Sequence, residues 1–202
     1  DYDADGVTST AIIKETLDEI GISSFIYIPD KKTEGYGMNT GAVMEFHRKG
    51  VKLIITVDCG ISNAKEIEEA NGCGIDVIII DHHHIPRQLP KAHAIINPQM
   101  KNSGYPSKIL AGVGVTFKVV QAIYETFLPG KKEQLKWLLD LVAIGTVADC
   151  APLLGENRAL VKYGLLVLSK TRRIGLREIF NVARLLIDEN NIPDTYNISF
   201  QI

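Results

Sequence analysis

The sequence Asp81-His82-His83-His84 follows directly on an apolar, mostly β-branched run, DVIII at residues 76–80. A carboxylate and three imidazoles at the end of such a run serve chemistry rather than folding, because charged groups there must be desolvated, paired or bound to a metal. Two further acidic positions have a similar setting. Asp58 closes the apolar run KLIITV at residues 52–57, and Asp149 stands alone between Ala148 and Cys150 in the otherwise uncharged GTVADCAPL. The chain opens with DYDADG, in which Asp1, Asp3 and Asp5 occupy alternate positions. Read as an extended segment, these carboxylates project to one side. Carboxylates with one or two imidazoles suit Mg²⁺ or Mn²⁺, whereas zinc favours thiolates. Asp81, His82 and His83 are therefore expected to belong to a metal-dependent phosphoester-cleaving site. A calcium loop is rejected, since no Glu follows at its closing position.

The elements that must position these groups follow from periodicity. Gly74 opens the 76–80 run and charge closes it, the pattern of a buried strand in a parallel sheet. Residues 52–57 form a second strand, residues 24–28 and 94–96 two short ones. Helices are expected over residues 8–20 (stopped by Gly21), 39–49 (capped by Asn39), 63–71, 111–126, 134–147 and 156–169. Trp137 is assigned to the core. The alternation of strand and helix implies an α/β fold, a parallel sheet flanked by helices with a helical C-terminal extension. Parallel strands bring their carboxyl ends to one side, so Asp58 and Asp81-His82 should face a common crevice. AGVGV at 111–115 could offer backbone N–H groups to a phosphate or simply permit close helix packing. TRRIGLR at 171–177 is the most basic patch; Arg172, Arg173 and Arg177 could meet phosphates, although a solvated connector is the more ordinary reading.

Bulk properties narrow the classes. The chain has 202 residues, 46% of them hydrophobic, and a formal net charge of -2. That suffices for one sizeable core and gives no electrostatic hint of nucleic acid. No apolar run approaches the roughly 18 residues of a membrane span, and no basic start followed by an apolar stretch suggests a signal peptide. Three cysteines, Cys59, Cys73 and Cys150, lack metal-knuckle spacing and point to a reducing, cytoplasmic setting. Cys59 and Cys150 adjoin expected ligands but should point away from them if their segments are extended. Asp1 falls inside a motif, so the chain reads as a fragment lacking its opening strand.

Four separated signals stand in order: DYDADG, VDCGIS (57–62), DHH (81–83) and GTVADCAPL (145–153). This set resembles the DHH phosphoesterase superfamily, and within it the RecJ-type branch. EGYGMN (34–39), YPSKILAGVGVTFKVVQA (105–122) and GENRALVKYGL (155–165) extend the resemblance along nearly the whole chain. The resemblance implies a phosphodiesterase domain over residues 1–170 and, over 171–202, a connector toward a second domain of the DHHA1 type. It implies 5′-to-3′ exonuclease activity on single-stranded DNA in repair and recombination, using two Mn²⁺ ions with Mg²⁺ as the alternative. By matching positions, Asp1, Asp3, Asp5, Asp58, His82 and Asp149 would be metal ligands, with Asp58 the bridge. His83 would lie near the scissile phosphate and Asp81 would orient a histidine. Single-strand-binding protein or a helicase would be partners. The competing expectations are a phosphodiesterase for oligoribonucleotides or cyclic dinucleotides, a pyrophosphatase, and a catalytically inactive replication scaffold.

Overall fold

A computed structural model of the chain describes residues 2–202. Its centre is a parallel three-stranded sheet of β1 (Leu53–Val57), β2 (Asp76–Ile80) and β3 (Ala94–Ile96), in that spatial order. Leu53 pairs with Asp76 and Val57 with Ile80, so β1 and β2 end at the same level. Asp58 and Asp81 are the next residues of each strand. The ladder continues one step beyond the strands: the Asp58 N–H donates to Ile80 O at 2.9 Å and the Asp81 N–H to Ile96 O at 3.0 Å.

The period-two alternation of the strands divides the core. Val77 and Ile79 pack on α2 (Thr40–Arg48) and α3 (Ala64–Gly72), against Val43, Phe46 and Ile67. Ile78, Ile80 and Val57 face the opposite layer, formed by α1 (Ala4–Glu19), α4 (Gly112–Phe127) and α5 (Leu139–Ala148). Each fully buried aliphatic side chain contributes about 1.5–3 kcal/mol, which holds both helical layers to a thin sheet. A third cluster joins α5 to α6 (Gly155–Leu168), α7 (Ile174–Val182) and α8 (Thr195–Gln201) through Val147, Val161, Leu168, Phe180 and Ile198.

Four expectations are corrected. The DYDADG motif is not an extended segment over its described residues, 2–6: Asp3 caps α1, accepting the Gly6 N–H at 2.9 Å, and Asp5 already lies in the helix. Residues 24–28 form no strand: their backbone makes no ladder with β1, and residues of both segments line a cavity of about 500 Å³. The expected helix over 134–147 is split; Pro129–Leu138 is a 3₁₀ segment and the α-helix begins at Leu139. Only Leu138 of that first part is buried, so no apolar face draws it into the regular helix. Trp137 is accordingly 42% exposed, with Lys136 and Arg172 over its ring at 6.0 and 5.8 Å.

Candidate metal centre

The site begins with a turn rather than with the strand itself. Asp58 has φ +58°, a left-handed conformation that Asp tolerates better than most residues. Two hydrogen bonds hold the turn. Thr56 Oγ1 donates to Cys59 O at 2.9 Å, and Tyr36 Oη donates to Asp58 O at 2.9 Å. One strand over, Asp81 is fully buried and spends its carboxylate on local structure. Its Oδ2 accepts the Ile61 N–H at 3.0 Å; its Oδ1 accepts the N–H groups of His82 and His83 and lies 2.7 Å from His83 Nδ1. Asp81 thus binds the two strand ends together and orients His83.

His82 points into the crevice. Its Nδ1 lies 3.1 Å from Leu110 O, which can only accept, so Nδ1 carries a proton and Nε2 is the nitrogen that can offer a lone pair once deprotonated. Nε2 lies 3.2 Å from Asp58 Oδ1 and 3.9 Å from Asp5 Oδ2, while Nδ1 is 3.9 Å from Asp149 Oδ2. Asp5 arrives from α1, on the layer opposite α2 and α3. Both its oxygens are held by the first N–H groups of α4, Gly112 N to Oδ2 and Val113 N to Oδ1, each at 2.7 Å. The glycine-rich helix start therefore does bind an anion, but the anion is the chain's own carboxylate. A Cβ at Gly112 would stand 2.5 Å from Asp58 Oδ1, so only glycine lets α4 approach this closely. Asp149 is the C-cap of α5, and Cys150 after it has φ +55°.

Two sets of donor atoms converge, each within 4.8 Å: Asp58, His82 and His83, and Asp5, His82 and Asp149. His82 is common to both. Asp58 Oδ1 and His82 Nε2 face each other at 3.2 Å, buried, as an ion pair while His82 is protonated, and neither atom hydrogen-bonds any other described residue. Metal ligands must be deprotonated to bind, so a divalent cation would take the place of the shared proton and engage both atoms. The donor set fits a hard cation.

The charges agree with a site built to receive positive charge. Burial and the neighbouring Asp58 carboxylate push Asp5 up to about 8. Burial likewise raises Asp58 and Asp149. Burial pulls the His82 imidazole down, but the Asp58, Asp5 and Asp149 carboxylates outweigh it and push it up to about 9. The hydrogen bond to Asp81 raises His83. Asp81 is opposed by burial yet sits below the usual carboxylate range, because His83 and the Ile61 amide hydrogen-bond its charged form.

Of the expected ligands, Asp5, Asp58, His82 and Asp149 come together. Asp3 joins neither set; its carboxylate caps α1 beside them. Asp1 lies outside the described residues. The extended-segment argument about the cysteines fails, since both follow or occupy left-handed turns, but neither enters the donor sets. Burial pushes the Cys59 thiol up to about 11, which keeps it protonated. His84 bonds Gln99 outside the site at 3.0 Å. Arg173 is committed to a structural ion pair with Asp140, 3.0 Å away, and with Glu15, not free for phosphate. Arg172 and Arg177 line a groove of about 450 Å³ with Trp137 that no candidate ligand borders. Sequence reasoning gives no role to Tyr36, although EGYGMN carries the signal. Its hydroxyl also lies 3.2 Å from His83 Nε2, and burial beside Asp58 and Asp81 raises it.

The family model described as the DHH family, N-terminal domain, matches residues 1–146. The chain belongs to the DHH family. Among DHH proteins it is 45% identical over 191 residues to the single-stranded-DNA-specific exonuclease RecJ of Bacillus subtilis, covering 95% of this chain and 23% of that protein. It is 41% identical over 194 residues to the Escherichia coli exonuclease of the same name, covering 91% and 33%. A crystal structure of exonuclease RecJ bound to manganese superposes with a TM-score of 0.84 at 34% identity, over 99% of this chain and 49% of that one. RecJ of Thermus thermophilus in complex with Mn²⁺ gives 0.79 at 32% identity, over 99% and 27%. This DHH chain therefore spans about a quarter to a third of the length of these curated relatives.

Proposed function

We propose that the chain is the metal-dependent phosphodiesterase core of a 5′-to-3′ single-stranded-DNA exonuclease, hydrolysing the phosphodiester bond with two divalent cations, Mn²⁺ by preference and Mg²⁺ as the alternative. The observation that carries this reading is the close, buried pair of Asp58 Oδ1 and His82 Nε2 at the meeting point of two donor sets. The relatives' names and their manganese-bound structures support the substrate class and the metal. In this reading Asp5, Asp58, His82 and Asp149 would hold the cations, with Asp58 the carboxylate common to both. Asp3, from the cap of α1, would add a ligand, as would Asp1 by its position in the sequence motif. We place the family domain at residues 1–170, because α6 packs on α5 and its first turn ties to the loop before α4, with residues 171–202 as the connector. Cytoplasmic location, and a single-strand-binding protein or helicase as partner, belong to the same reading; no described helix is long and apolar enough to cross a membrane.

The cations supply activation of the attacking water and stabilisation of the attacking and leaving oxygens. The chain's own residues do the rest. Asp81 holds His83 through Nδ1, and the Tyr36 hydroxyl lies 3.2 Å from its Nε2 at the crevice. His83 is half-exposed there, and its raised basicity lets it keep a proton to donate to a phosphate oxygen or the leaving group. Cys59 stays protonated and bystanding. No covalent nucleophile is required.

The test is calorimetric Mn²⁺ titration together with degradation of 5′-labelled single-stranded DNA, a dinucleotide and pyrophosphate. Two bound ions and fastest turnover of the single strand support the reading. Absence of metal binding would leave an inactive scaffold; faster turnover of dinucleotides or pyrophosphate would move the substrate to those classes.

A further inference from the structure

GENRALVKYGL begins α6, an element that contributes none of the candidate ligands, yet its first turn governs two segments that do. Asn157 is completely buried, at 0% exposure. Its Nδ2 has two protons and uses both: it donates to Ile109 O at 2.6 Å and to Pro152 O at 3.1 Å. Ile109 immediately precedes Leu110, whose carbonyl fixes the His82 ring, and Gly112 and Val113, whose N–H groups hold Asp5. Pro152 lies three residues beyond Asp149. The adjacent Glu156 secures the far end of the same loop, accepting from Tyr105 Oη at 2.6 Å and pairing with Lys118. The strand-end groups are held differently, by Asp81 and Tyr36.

We propose that Asn157 is a positioning residue for the Asp5–His82–Asp149 half of the centre, acting by clamping the loop before α4 to the segment after α5. Without its amide, two carbonyls lose their shared donor in a buried setting where unpaired groups are costly, and the two backbone segments are free to separate. The inference rests on the metal-centre reading above and specifies which half depends on α6. Residues that orient metal ligands typically change metal affinity 10–100-fold on substitution.

The experiment is Mn²⁺ titration by calorimetry, with melting temperatures, on the wild-type chain, Asn157→Ala, Asn157→Ser and Leu160→Ala. Leu160 lies on the same helix in the apolar core and serves as a purely structural control. The expected result is two ions in the wild type and in Leu160→Ala, against one retained and one weakened about 10–100-fold in Asn157→Ala. Asn157→Ser, which keeps one donor, should fall between them, and carries the test should the alanine variant not fold. Turnover lost in either Asn157 variant should return with excess Mn²⁺. A wild-type chain that binds no Mn²⁺ overturns the metal-centre reading and this inference with it. Two ions of unchanged affinity in the Asn157 variants overturn this inference alone, as do equal losses at both sites or the same loss in Leu160→Ala.

Discussion

The two halves of the centre are built by different means. The Asp58–His82–His83 half is assembled at the ends of two adjacent parallel strands, where the β1–β2 register alone sets Asp58 beside Asp81. Its supports are local in the sheet: the four hydrogen bonds into Asp81 and the Tyr36 bond to the Asp58 turn. The Asp5–His82–Asp149 half has no strand end in it apart from the shared His82. Asp5 comes from the first turn of α1 and is held by amides 107 and 108 residues away, and Asp149 comes from the last cap of α5. One half is a consequence of sheet topology, the other of helix packing. The strand-end half should therefore tolerate changes in the helical layer, whereas the helical half should fail first when packing is disturbed.

The largest effect belongs to the junction. Asp58→Asn keeps a residue suited to the left-handed turn but removes the charge common to both ions, and should abolish nuclease activity while the far-ultraviolet circular dichroism stays native; retained wild-type turnover would sink the bridging role. Next comes Asp5→Asn. It places an amide NH₂ against one of the two N–H donors of α4, costs about 1–3 kcal/mol of stability, and should remove the helical-half ion while the strand-end ion remains, as read by denaturant unfolding and Mn²⁺ stoichiometry. Asp81→Asn should act on turnover and not on metal. Two Mn²⁺ ions are kept, KM changes little, and kcat falls about 10–100-fold because His83 loses its orienting carboxylate; loss of an ion instead would show that Asp81 supports the metal directly.

A pH effect of intermediate size follows from the protons held in the site. Metal ligands must be deprotonated to bind, and Asp5 and His82 are raised to about 8 and about 9. Mn²⁺ affinity should therefore rise with pH up to about pH 9 and level off above it, with protons released on binding below that point. Titrations in buffers of different ionisation enthalpy measure this; a pH-independent affinity between about 7 and 9 contradicts it. His84→Ala should do least, since it loses only the Gln99 contact; turnover and metal stoichiometry should stay unchanged.

The strand-end half is legible in the sequence because its signals are local. A β-branched run ending in DHH, and another ending in Asp58, need only the rule that parallel strands align their carboxyl ends. The helical half is reached through motif resemblance, and an extended reading of DYDADG mistakes its geometry. Alternate carboxylates there suggest one common face, but Asp3 forms a helix cap and puts Asp5 inside α1. Arg173 looks like a phosphate contact because nothing in TRRIGLR reveals that Asp140, buried in α5, requires its charge. Residues 24–28 have strand composition, yet a strand exists only where another backbone meets it.

The alternation of elements, the strand ends and the types of donor atom all follow from local order in the chain, since they depend on periodicities of two and 3.6 residues and on side-chain chemistry. Only the folded arrangement settles which amides receive Asp5, why position 112 must be glycine, and that Asn157 joins two loops 43 residues apart (Ile109 and Pro152). Those are relations between segments remote in sequence, set by how helical layers close on the sheet, and no local pattern encodes them.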